Sequence, residues 1–170
     1  MDRSASTAPH LAALQEFYQG EILGEAMFDA MLQSARSDSE RYKIALMLQL
    51  ETETKARLRP YLAAQGLPLQ EDPQMRPRGE QFARELARAT WTEKMQALEQ
   101  SISRTWLPRY RELTATLPPP LRAIGQSMVA HEQALLDMAR RELAGQSHLA
   151  DQPVRDLLAH PLPRPPESAD

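Results

Sequence analysis

Residues 14–35, LQEFYQGEILGEAMFDAMLQSA, carry the pattern that decides the fold. Leu14, Tyr18, Glu21, Glu25, Phe28, Leu32 and Ala35 follow one another at alternating spacings of four and three. That is the seam of a helix packed along its length against others. Two carboxylates, Glu21 and Glu25, interrupt an otherwise apolar line. The helix is expected to open near Pro9, which suits a first helical turn, and to run to about Ala35.

Working outward, Ser37, Asp38 and Ser39 offer N-caps for a second helix whose stripe is Ile44, Leu48, Glu51, Lys55, Leu58 and Leu62. Pro60 predicts a kink there or a frayed end before Gly66. Pro68, Pro73, Pro77 and Gly79 mark residues 66–79 as a loop, followed by a short amphipathic helix with Phe82 and Leu86 on one side. A third stripe runs through Trp91, Met95, Leu98, Ile102, Trp106, Tyr110, Leu113 and Leu117, with a bend expected at Pro108. Pro118, Pro119 and Pro120 end it. The fourth stripe is Leu121, Ile124, Met128, His131, Leu135, Met138 and Glu142, stopped by Gly145.

Short link, long link, short link is the connection pattern of an all-α four-helix bundle whose second and third helices run parallel across a long crossover. The expected division is a flexible N-terminus over 1–8, the bundle over 9–145 with its crossover at about 64–90, and a proline-rich mobile tail over 146–170. The tail holds five prolines and few apolar residues, too little to offset the entropy of ordering.

Composition narrows the function classes. With two valines and four isoleucines, strands are not expected. The 20 basic and 23 acidic residues leave a formal charge of −3 and no basic field for nucleic acid or an anionic membrane. No apolar run is long enough to span a bilayer, and Met1-Asp2-Arg3-Ser4 opens no secretory signal, so a cytoplasmic protein is expected. The absence of cysteine excludes thiolate metal sites and thiol nucleophiles. No glycine-rich phosphate loop or serine elbow is present.

Gly20-Glu21-Ile22-Leu23-Gly24-Glu25-Ala26 and Leu50-Glu51-Thr52-Glu53-Thr54-Lys55 resemble the first helical pair of the ferritin-like superfamily, rubrerythrin relatives in particular. The likeness covers about residues 10–145. It implies up-down-down-up topology and a non-haem iron or manganese centre serving oxygen-dependent oxidoreductase chemistry. The family's ligand set, single glutamates on two helices and Glu-x-x-His on the others, matches only in part. Glu25, or Glu21 one turn away, fits the first glutamate. Glu51 begins a motif in which Thr54 stands at the histidine position. On the fourth helix Glu132 is followed by Leu135, and His131 is preceded by Met128, so that motif is broken as well.

Helical rise places the same residues together without the resemblance. Folding the first two helices about residue 37 brings Glu51 level with about residue 23, between Glu21 and Glu25, and His131 lies at mid-height of its own helix. The candidate metal ligands are therefore Glu21, Glu25, Glu51, His131 and Glu132, oxygen and nitrogen donors that suit iron, manganese or zinc. Three readings stay open: a reduced metal site, a metal-free scaffold for partner proteins or a homodimer, and a small-molecule site lined by Trp106, Tyr110 and the central carboxylates. In the second reading Glu21 pairs with Lys55 and His131 bonds a neighbouring glutamate. Gly20 and Gly24 are expected to admit close helix packing, and His10, His148 and His160 carry no role.

Overall fold

Pro9 opens α1, Pro9–Leu32, in the computed structural model, which describes residues 8–165. Among those residues every regular element is helical. Ser37 caps α2, Asp38–Ala64, by accepting the Glu40 amide at 3.1 Å. Pro60 lies inside α2 without ending it, because the helix closes one turn later, where few hydrogen bonds depend on it. The end is clean and not frayed. Gly66 turns left-handed at φ 68°, and the Leu67 amide reaches the Leu62 carbonyl at 2.9 Å.

The next helix, α3, Met75–Glu85, begins earlier than the proline and glycine spacing predicts. Pro77 sits in its first turn, where a missing amide hydrogen removes nothing. Gly79 has a structural purpose: a side chain there would collide with the Leu23 carbonyl and the Met27 amide of α1. The connection before α3 is tied to α1 by Gln15, Tyr18 and Gln19, which donate to the carbonyls of Pro68, Leu69 and Gln70 at 2.9, 3.1 and 3.0 Å.

Thr90 and Glu93 form a capping box at the start of α4, Trp91–Ser101. Pro108 stands in the first turn of a new helical segment. Residues Ile102–Trp106 widen into a π-helical turn in which the Leu107 amide reaches back to the Ile102 carbonyl, and the helix resumes as α5, Leu107–Ala115. After a single turn at Pro119–Leu121, α6 runs Arg122–Leu143 and ends at Gly145, φ 73°.

Helix α1 packs on α2 and α3, while α4 and α5 pack on α6. Between these groups the buried apolar side chains fall into two clusters rather than one. One contains Phe17, Tyr18, Leu58, Tyr110, Leu113 and Met128. The other contains Phe28, Met31, Met47, Leu50, Leu135 and Met138. Glu21, Glu51, Thr54, His131 and Glu132, all buried, occupy the level between them.

The mobile tail expected over 146–170 is corrected for its described part. Ser147–Leu149 form a turn and Gln152–Arg155 a short helix, α7, which contacts α2 and α6 and buries Ala150, Val154 and Leu158. Polar anchors supply what the sparse apolar surface does not. Asp151 receives Tyr42 at 3.0 Å and both guanidinium arms of Arg164 at 2.9 Å, and Gln49 donates to the His160 carbonyl at 2.7 Å. Residues 1–7, most of the expected flexible N-terminus, and 166–170 lie outside the described residues.

Candidate metal centre

Three helices each deliver a polar side chain to the level between the clusters. Glu21 comes from α1, Glu51 and Thr54 from α2, and His131 from α6; none is more than 4% exposed. His131 Nε2 lies 3.2 Å from Glu51 Oε1, and Nδ1 lies 3.1 Å from Thr54 Oγ1 and 3.6 Å from Glu21 Oε2. One ligand atom from each of Glu21, Glu51 and His131 lies within 4.8 Å of the others.

Local sequence explains the approach. A side-chain carbon at Gly24 would overlap the Glu51 carboxylate, and one at Gly20 would overlap the Tyr110 hydroxyl. These glycines therefore make room for polar side chains from other helices, not for the backbone of a packed neighbour. Thr54 stands where the resemblance places a histidine, and its hydroxyl holds the ring of His131 instead. Arg57 donates to the same hydroxyl at 2.8 Å.

The level gathers more acid than base. Burial, reinforced by Glu51 and Glu132, pushes the Glu21 carboxyl well above its ordinary range. Burial pushes Glu132 up to about 8, with His131 opposing and Glu51 adding to the rise. Burial alone pulls His131 down, but the Glu51 carboxylate outweighs it and the imidazole rises. Glu21 Oε2 is buried with no hydrogen-bond partner among the described residues. An unpartnered buried carboxylate costs several kcal/mol, a penalty that a proton or a cation relieves.

Of the five candidate ligands, Glu21, Glu51 and His131 converge. Glu25 does not: it bonds Lys55, Thr52 at 2.9 Å and Arg76 at 3.0 Å. Those three bonds hold its carboxyl below the ordinary range although burial opposes them. Lys55 is thus the partner of Glu25 and not of Glu21, a correction to the expected ion pair. Glu132 is buried but outside the converging group, and lines a cavity of about 260 Å³ together with Glu51, Trp106 and Tyr110.

The donor set fits a cation. Two carboxylates and an imidazole suit iron, manganese or zinc. The 3.2 Å between Nε2 and Oε1 is close to the spacing of neighbouring ligands bonded at about 2.1 Å to one ion. Glu21 Oε2, which has no hydrogen-bond partner among the described residues, is a further oxygen open to a cation, although it lies nearest Nδ1, at 3.6 Å, and not Nε2. Among the described residues no helix is long and apolar enough to cross a membrane. No protein-family model, curated protein or solved structure gave a significant match to the chain.

Proposed function

We propose that this chain is a ferritin-like four-helix protein in which Glu21, Glu51 and His131 hold one non-haem iron or manganese ion for oxygen-dependent oxidoreductase chemistry. The observation that carries the reading is the convergence of those three buried side chains, from three helices, within 4.8 Å at a level that divides the apolar core. The up-down-down-up topology belongs to the same proposal, with residues 65–74 and α3 forming the crossover.

When bound, the ion supplies a redox-active Lewis acid with coordination positions left for dioxygen or substrate. The chain's own contributions follow from placement. Glu21 and Glu51 provide negative charge that favours a higher oxidation state. Thr54 fixes the ring of His131, as an outer partner of a ligating histidine does. The two apolar clusters flank the level, and Glu51 lines a cavity that opens beside it.

The test is oxygen uptake. Anaerobic protein given stoichiometric Fe(II) and then exposed to air should consume oxygen faster than Fe(II) in the same buffer, and Glu51→Ala should return the rate to that of free Fe(II). Equal rates for native protein and free Fe(II) would overturn the reading.

A second reading, a metal-free scaffold, is favoured by one observation: both ring nitrogens of His131 already have oxygen partners, at 3.1 and 3.2 Å. There the layer fixes which helices pair, a recognised use of buried polar groups. Replacing His131 would then alter stability and leave no metal-dependent activity to lose.

A further inference from the structure

Helix α3 carries Arg76, Arg78 and Arg84, and two of the three are neutralised: Arg76 pairs with Glu25 and Glu71, and Arg84 with Glu80. Arg78 forms no ion pair among the described residues, and its Nη1 reaches only the Met75 sulfur, at 4.0 Å. It stands one turn from Phe82 on the same face of α3, and both side chains line the cavity of about 260 Å³ beside the converging residues. The close approach of α3 to the α1 backbone at Gly79 fixes where these two side chains stand.

The cavity runs from a buried end to an open one. Phe28, Leu98 and Ile102 are buried in its wall, whereas Arg78 and Thr105 are exposed and Ser101 is half-buried. Most of the lining is aliphatic or aromatic, so the space takes an apolar body. Scaled from the cavity of about 150 Å³ that holds benzene, about 260 Å³ holds about ten carbon atoms. Hydrogen-bond donors gather towards the open end: the Arg78 guanidinium, the Trp106 indole N–H and the Ser101 hydroxyl, none bonded to a protein oxygen among the described residues. A guanidinium is charged at every physiological pH, and its planar fork matches the two oxygens of a carboxylate. At the rim of a low-dielectric cavity that charge acts more strongly than in open water. One guanidinium without a second cation suits a singly charged head better than a phosphate dianion. The π-helical turn forms part of the wall through Ile102, Thr105 and Trp106, and such turns recur at functional sites.

We infer that this cavity receives a small carboxylate with an apolar body, its head held by Arg78 at the mouth and its body among Phe28, Phe82 and Trp106. Glu51 and Glu132 are buried in the wall and face the uncharged body. Their influence is the same in native protein and in an Arg78 variant, so comparing the two isolates the guanidinium. Binding of this kind needs no metal ion, and it can fail or hold independently of the metal reading.

Calorimetric titration of protein stripped of metal by chelator, and then freed of the chelator, compares three probes of one body: 4-phenylbutanoate, 4-phenylbutan-1-ol and 4-phenylbutan-1-amine. The carboxylate should bind at least about ten-fold more tightly than the alcohol or the amine. Arg78→Gln should bring carboxylate and alcohol to within about three-fold, and leave the alcohol within about three-fold of its native affinity. Ser101→Phe, which puts a ring into the cavity, should weaken carboxylate and alcohol alike by at least about ten-fold. Equal binding of carboxylate and alcohol to the native protein would overturn the assignment. So would a preference for the amine, no binding of any probe, a preference that survives Arg78→Gln, or undiminished binding to Ser101→Phe. Arg78 is exposed, so its replacement spares the core; if Ser101→Phe does not fold, the Arg78→Gln comparison decides.

Discussion

Glu21 and Glu25 stand one turn apart on α1, yet Glu25 has two cations and a hydroxyl while Glu21 faces other acids and an imidazole. Periodicity alone left the pair unresolved, since both positions fall near the seam. What separates them is Arg76, which arrives from a helix that the stripes do not contain. Thr54 was legible only as a missing histidine, because a buried threonine gives no sign in sequence of what its hydroxyl holds. Lys94, 0% exposed and donating to the Ser34 carbonyl at 3.0 Å, carried no signal either. A consequence follows at Glu21. Burial and the neighbouring acids push its carboxyl well above the ordinary range and its Oε2 has no hydrogen-bond partner among the described residues, so Glu21→Gln should stabilise the metal-free protein by about 1 to 3 kcal/mol while lowering metal affinity at least about ten-fold. Thermal denaturation in chelator, paired with metal titration, checks both signs; a variant that loses stability and keeps its affinity contradicts the assignment.

The long helices were legible because each carries a sustained stripe, and several carry a chemical start or stop: Pro9, Ser37, Gly66 and Gly145 all occupy cap or first-turn positions. The elements that escaped reading depend on contacts with other elements. Gly79 looks like a loop residue until α1 is set against it, and the π-helical turn at Ile102–Trp106 has no signature in the third stripe. α7 was hidden for a related reason: it is ordered by Asp151, Arg164 and Tyr42 more than by any apolar stripe. The α1–α3 contact gives a prediction at this scale. Gly79→Ala places a carbon against α1 backbone that cannot move aside, so it should cost about 1 to 3 kcal/mol. Hydrogen exchange should report lost protection in α3 before the rest of the chain; unchanged protection there would show that the close approach is not needed.

Across the whole molecule, two apolar clusters are separated by a polar level that weakens the core unless the level does something else. Stability at acid pH reads the outer charges separately from that level. Glu25 and Asp151 both titrate below their ordinary ranges: burial opposes this, but bonds from Lys55, Thr52 and Arg76 in one case, and from Arg164 and Tyr42 in the other, outweigh it. Carboxyls of this kind have ordinary values of about 4.3 and 3.9 in the unfolded chain, which therefore binds more protons than the folded one. Their contribution is present above about pH 5 and is lost as pH falls through the depressed folded values. Glu25→Gln should accordingly cost about 1 kcal/mol at pH 7, with the difference closing towards pH 3 in a thermal denaturation series. Whether the polar level holds a metal is decided by elemental analysis. Native protein and Glu51→Ala are both loaded with Fe(II) or Mn(II), freed of excess ion and measured. About one ion per native chain is expected, and none in the variant. A native chain free of metal after loading, or a variant holding as much as the native protein, would contradict it.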